Sequence, residues 1–371
     1  MHMKRAGGLS IFGAAAAATL ALGMLFGLTA PAAAQDRYAA IVMDARTNEV
    51  LLEDQADEVR YPASLTKMMT LYMLFQAIER GDLTMETRLT ASRNASRQPP
   101  SRLGLRCTRR GGCDSITVDQ AIRALVVQSA NDVATMVAER LGGSEARFSA
   151  TMTSRARELG MTNTRFANAS GLPSTRHATT ARDMAILSQA LWRDYPEHYH
   201  YFTTPSFNWR RGGARSHNRL IGQVDGVDGI KTGYTRASGF NLATMAERGG
   251  RRVVVVVLGG ETAAARDAQV AYLVEGAYEE YARRGDNVTY ASLPNPRLDL
   301  QFAPNAATGT VTQTARATPP TPYQTYQGMV LETLAPQAQA AVDSPIAQGD
   351  EADVEAEGEF TAEETTDEPG Q

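Results

Sequence analysis

The chain has 371 residues, enough for one large folded body with extensions. Its 37 Lys and Arg against 41 Asp and Glu give a net charge of -4, which excludes the strongly basic balance of a dedicated nucleic-acid binder. The charge is uneven. Residues 341–371 hold eleven Asp and Glu and no Lys or Arg, while residues 35–340 carry a net +5, a mild excess suited to an anionic partner such as a cell-wall polymer.

His2, Lys4 and Arg5 precede an uncharged run from Gly7 to Ala30, and Ala32-Ala33-Ala34 offers small residues for cleavage before Gln35. Residues 1–34 therefore read as an export signal. An uncleaved membrane anchor is the other reading of the same run. The folded body is expected over residues 35–286. It opens with strand-like runs Tyr38–Asp44 and Glu49–Leu52, joined as a hairpin by Ala45-Arg46-Thr47-Asn48. Pro62 introduces a helix over Ala63–Glu79. Lys67 is its one charge between Leu65 and Ile78, so burial on nearly every side is expected.

Cys107 and Cys113 flank a five-residue loop containing Gly111 and Gly112. In an exported protein a disulfide is the natural reading, contributing about 2 kcal/mol on the chain-entropy model. A metal pair is the alternative, although no His or second Cys pair lies nearby. Thr117-Val118-Asp119-Gln120 fits a capping box that opens a helix running to Val127. Ser129-Ala130-Asn131 marks a break before a helix reaching Leu141, where Gly142-Gly143 stops it. Helices are expected over Glu145–Leu159 and Thr180–Trp192. Strands follow over Gly229–Tyr234, Gly239–Ala246 and Arg252–Leu258; the five consecutive valines Val253–Val257 read as a buried central strand. A helix over Thr262–Arg283 closes the body. This order implies an α/β (α+β) domain: one sheet built from both ends of the body, flanked by helices, with a helical subdomain between. Residues 287–371 turn Pro-, Ala- and Thr-rich and then acidic, and are expected to be largely disordered.

Only three of the 37 cations are lysines: Lys4, Lys67 and Lys231. Arg stays protonated in proteins, whereas a buried Lys can give up its proton, so a retained Lys in an Arg-using chain points to a need for an amine. Drift in a Lys-poor composition is the bland alternative. Lys67 ends Ser64-Leu65-Thr66-Lys67, and i, i+3 residues share a helix face, so its amine can reach the Ser64 hydroxyl. Lys231 opens Lys231-Thr232-Gly233 on a strand, where Gly233 permits close backbone approach and the strand edge can add an extended peptide. Ser129 could pass a proton to a leaving amine and Asn131 could hold a substrate carbonyl. Helix punctuation is the better reading of that triplet taken by itself, and each of the three patterns is weak alone.

The order Ser-x-x-Lys, Ser-x-Asn, Lys-Thr-Gly in an exported chain is specific. The chain resembles the low-molecular-mass penicillin-binding proteins, the serine-type D-alanyl-D-alanine carboxypeptidases of peptidase S11 type. Pro62–Thr70, Ser129–Asp132, Thr180–Ala185 and Asp228–Gly233 carry the likeness, which covers roughly residues 36–285. The resemblance implies a β-lactamase/transpeptidase-like fold with an antiparallel sheet. It implies that Ser64 attacks the carbonyl of the penultimate D-Ala, with Lys67 as base. Ser129 would relay the proton to the departing D-Ala, and Asn131 would position substrate. Lys231 and Thr232 would bind the terminal carboxylate, and the Ser64 and Tyr234 N–H groups would form the oxyanion hole. Arg219 matches a family Arg and is a further carboxylate candidate, or else a solvated surface charge.

The implied partners are peptidoglycan stem peptides and, as covalent inhibitors, β-lactam antibiotics; no cofactor, metal or nucleic acid is expected. Many relatives carry a β-rich second domain and a basic C-terminal anchor. This acidic end fits neither, so a soluble periplasmic protein is expected. The Cys107–Cys113 loop reads as an insertion. Phe166–Thr179 lacks the Glu that activates water in the better-known β-lactamases, so fast penicillin turnover is not expected. An endopeptidase acting on cross-links, or a wall-binding scaffold with a relict site, are the competing functions. His198 and His200 read as structural, and His177 sits in a loop from which it could line the cleft.

Overall fold

The computed structural model describes residues 37–210 and 212–285; the expected signal and tail lie outside them. Nine strands and seven helices occur among the described residues: β1 (Ala39–Asp44), β2 (Val50–Asp54), α1 (Thr66–Glu79), β3 (Arg88–Thr90), β4 (Ser115–Thr117), α2 (Val118–Val127), α3 (Asn131–Gly142), α4 (Glu145–Glu158), α5 (Ala181–Asp194), α6 (Pro196–Tyr199), β5 (Ser206–Trp209), β6 (Gly212–Arg215), β7 (Val227–Thr235), β8 (Gly239–Arg248), β9 (Arg251–Gly260) and α7 (Ala263–Arg283).

The five-stranded sheet runs β2-β1-β9-β8-β7, with every neighbouring pair antiparallel. The N-terminal hairpin thus completes a sheet begun by the last three strands. The valine run takes the middle position in β9. Its side chains alternate between two cores: Val254 and Val256 enter the layer with α1–α5, while Val253, Val255 and Val257 pack on α7. All five are fully buried, each stabilising the fold by about 1.5–3 kcal/mol relative to exposure. An antiparallel sheet normally shows one face to water, and covering both faces removes the polar alternation from the central strand.

Helix starts follow their caps. Thr117 and Gln120 form the capping box of α2, and Thr180 and Thr262 accept from the third amide of α5 and α7. Gly143, in the left-handed region at φ +72°, caps α3. The segment expected to be helical from Ala63 begins differently: Ala63–Leu65 is a 3-10 turn, and α1 starts at Thr66. Ala63 has φ +47°, which an α-helix does not accommodate. The ribbons β3–β4 and β5–β6, of three and four residues per strand, were not expected from the sequence, because strands so short carry little alternation. No helix among the described residues is long and apolar enough to cross a membrane.

Candidate active site

Ser64 lies in the 3-10 turn between the sheet and the helical layer, and three neighbours hold that turn. Asn241 on β8 donates from Nδ2 to the carbonyls of Tyr61 (3.0 Å) and Pro62 (3.2 Å), while its Oδ1 accepts from Gly259 N at 2.9 Å. Gly233 on β7 lies directly against the turn: a Cβ there would come within 3.0 Å of Ser64 N and 3.1 Å of Leu65 N. Gly171, at φ +87°, closes the other side, where a Cβ would sit 1.8 Å from the Ala63 carbonyl oxygen.

Lys67 is fully buried in the first turn of α1. Its Nζ lies 3.0 Å from Ser64 Oγ, 2.8 Å from Asn131 Oδ1 and 2.6 Å from the Ser170 carbonyl oxygen. An ammonium donates to all three. A free amine keeps two N–H groups for Asn131 and Ser170 and turns its lone pair to the Ser64 hydroxyl. The Ser170 carbonyl is held in place through its neighbour: Ala169 N donates to Glu145 Oε1 (3.1 Å), and Thr70 Oγ1 donates to Ala169 O (2.7 Å). Burial pushes the Glu145 carboxyl above its ordinary range, against the hydrogen bond from Ala169.

Ser129 and Asn131 occupy the turn between α2 and α3. Asn131 is committed at both ends of its amide, since Nδ2 donates to Pro99 O at 3.1 Å while Oδ1 serves Lys67. Its backbone N–H donates to Ser101 O at 2.7 Å. Next to it, the buried Asp132 carboxylate accepts from the amides of Leu103, Gly104, Leu105 and Val133 at 2.8–3.0 Å, fixing the segment beside the turn. Ser129 stands at φ +56° with its Oγ buried and lacking a hydrogen-bond partner. Non-glycine residues in that region are strained, and Ala63 and Ser129 both flank the same cluster.

Lys231 is buried on β7, donating from Nζ to Thr232 O at 2.9 Å, and pairs with Ala243 on the face toward the helical layer. Thr232 stands opposite Leu242, whose side chain joins the α7 core, so the two side chains take opposite faces of the strand. Tyr234 closes the motif with its ring 4.2 Å from that of Phe240. Arg219 is paired: its Nε lies 3.0 Å from Asp267 Oδ2, and Arg266 Nε takes Oδ1 of the same carboxylate at 2.7 Å. Cys107 and Cys113 are disulfide-bonded. His177 lines a groove beside the turn with Tyr61, Ala63, Gly171, Leu172 and Thr235. Burial lowers its imidazole to about 4, so the ring is neutral near pH 7. His198 Nε2 lies 2.9 Å from Glu79 Oε1, away from Ser64.

The structure thus brings Ser64, Lys67 and Asn131 into one hydrogen-bonded cluster with Gly233 against it. A model of the family described as D-alanyl-D-alanine carboxypeptidase matches residues 28–262, more than half of the chain. The chain belongs to that family. D-alanyl-D-alanine carboxypeptidase DacC of Escherichia coli is 36% identical over 236 residues, covering 63% of this chain and 59% of the relative. DacF of Bacillus subtilis is 31% identical over 257 residues, covering 67% and 64%. Penicillin-binding protein D2 of Listeria monocytogenes, solved in an ampicillin-bound form, superposes with a TM-score of 0.56 at 32% identity, over 63% of this chain and 95% of that one. The chain spans about six tenths of the length of the curated relatives. Membership accounts for the β-lactamase/transpeptidase-like fold.

Several site residues escaped sequence reasoning. Glu145, Thr70, Ser170, Gly171 and Asn241 act through carbonyls, amides and close approach, which leave no spacing signature. The Asn168-Ala169-Ser170-Gly171 turn was the one available hint, because its Gly is obligatory.

Proposed function

We propose that this chain is a serine D-alanyl-D-alanine carboxypeptidase that removes the terminal D-Ala of peptidoglycan stem pentapeptides, with residues 35–286 as its catalytic domain. The observation that carries the reading is the 3.0 Å approach of Lys67 Nζ to Ser64 Oγ inside a buried cage of fixed acceptors. In the free-amine state Lys67 takes the Ser64 proton as Oγ attacks the penultimate carbonyl, giving an acyl-enzyme and departing D-Ala. The unpartnered Ser129 hydroxyl is the group suited to hand a proton to the leaving amine. The amides of Ser64 and Tyr234 are suited to the oxyanion, and Gly233 lets the substrate backbone lie close to Ser64.

Asn131 serves chiefly by orienting Lys67, its remaining amide N–H being the part that substrate could use. Lys231 supplies positive potential for the terminal carboxylate, with Thr232. For Arg219 to join them, it would have to share its charge with Asp267. Water completes the cycle by hydrolysing the acyl-enzyme, and β-lactams would acylate the same serine. Export to the periplasm agrees with this substrate.

The test is D-alanine release from a pentapeptide muropeptide by residues 35–371, beside Ser64→Ala. Release by the wild type alone supports the reading. Release by both proteins would remove Ser64 from its role, and cleavage confined to cross-linked dimers would make the enzyme an endopeptidase.

A further inference from the structure

A run of exposed arginines leads away from the Asn131 turn. Arg102, Arg106, Arg109 and Arg110 lead into and around the disulfide loop, and Arg210 joins them from the turn of the β5–β6 hairpin. One carboxylate joins the two segments: Asp114 Oδ1 pairs with Arg210 Nη2 at 2.5 Å, and its Oδ2 accepts from Arg106 N at 2.7 Å. Residues 37–285 carry 33 Lys and Arg against 26 Asp and Glu. Five of those cations lie here with two anions, Asp114 and Asp132, a local excess of three positive charges.

Elsewhere among the described residues about half of the arginines are ion-paired. Arg182 pairs with Asp57, Arg252 with Asp228, and Arg284 with Glu49 and Glu280. Among the described residues no carboxylate lies within ion-pair distance of the Arg102, Arg106, Arg109 or Arg110 guanidinium. The edge is also braced. The disulfide closes the loop, and Asp132 grips the amides of residues 103–105. Ser101 accepts the Asn131 amide, so Arg102 is one residue from the catalytic cluster and Arg106 at most about 14 Å of chain further on. An extended pentapeptide spans about the same distance.

We propose that this disulfide-braced arginine edge is a subsite for the carboxylates of an anionic wall peptide, favouring carboxylate-rich substrate strands over short peptides with little charge. The assignment rests on the carboxypeptidase reading of Ser64. Guanidinium groups match carboxylates in geometry, and the braced backbone holds their attachment points in place. Exposed pairs are individually weak and are screened by salt, so the edge acts by number and shows itself in salt dependence.

The experiment compares D-Ala release by full-length mature protein, residues 35–371, from two substrates. One is a pentapeptide with two carboxylates besides its terminus; the other is an N-acyl-D-Ala-D-Ala dipeptide whose terminus is its one charge. Arg109→Gln/Arg110→Gln should raise KM for the anionic peptide about fivefold with kcat unchanged, and leave the dipeptide within twofold. Raising NaCl should erase the difference, and Arg157→Gln on the exposed face of α4 should alter neither substrate. Equal effects on both substrates would overturn the subsite. Loss of the arginine effect in a chain ending at Ala340 would seat the acidic residues 341–371 on this edge and overturn it too. A wild type inactive on both substrates would instead remove the reading of Ser64, and the subsite with it.

Discussion

Gly233 and Ser64 are in backbone contact: a Cβ on residue 233 would lie 3.0 Å from the Ser64 amide nitrogen. Strand β7 and the Ser64 turn therefore leave no room between them for a side chain at position 233. Gly233→Ala should displace the turn by a few tenths of an ångström and slow penicillin acylation at least about tenfold, with a stability loss near 1 kcal/mol. Gly171→Ala should be worse in stability, by about 2–3 kcal/mol or more, because its Cβ would overlap the Ala63 carbonyl and its φ of +87° disfavours any side chain. Stopped-flow acylation by a fluorescent penicillin and thermal melts check both, and a Gly233→Ala protein that acylates at the wild-type rate would contradict the contact.

Ser129 separates chemistry from stability. Its hydroxyl is buried without a partner, so Ser129→Ala removes no hydrogen bond of the folded protein. Folding stability should change by less than about 0.5 kcal/mol, while kcat for D-Ala release falls about 10²-fold. A variant that lost stability and activity in proportion would make Ser129 a structural residue.

Glu145 supports Lys67 through the Ala169–Ser170 backbone. Glu145→Ala should leave the Ala169 amide unpaired, cost about 1–2 kcal/mol and slow acylation, whereas Glu145→Gln, which still offers an acceptor, should recover most of both. The recovery is the diagnostic measurement: equal defects in both variants would tie the role to the negative charge instead.

His177 predicts an acid-side loss of stability. Its folded value, about 4, lies below the unfolded 6.5, so between these pH values the unfolded chain binds more protons. Stability attributable to this ring is full above about pH 6.5 and declines as pH falls toward 4, by up to about 3 kcal/mol. Urea unfolding of wild type and His177→Gln across pH 4–7.5 should give curves whose difference narrows toward low pH. A constant difference would show that the ring titrates normally.

The parts of this protein legible in its sequence were those written in periodicity and spacing. The valine run, the Thr caps and the Ser-x-x-Lys pattern each depend on neighbours a few residues away, and local physics suffices to read them. The same locality misjudged the start of α1, because the positive φ of Ala63 belongs to a turn pinned by Asn241, 178 residues downstream. Tertiary structure alone decided which acceptors surround the Lys67 amine, the Asn131 side-chain oxygen among them, and that Arg219 faces Asp267. It also joined the disulfide loop to the β5–β6 hairpin through Asp114 and Arg210, 96 residues apart. Sequence determines which side chains are available; hydrogen-bond partners distant along the chain are fixed only once the sheet has closed from both ends and both of its faces are covered.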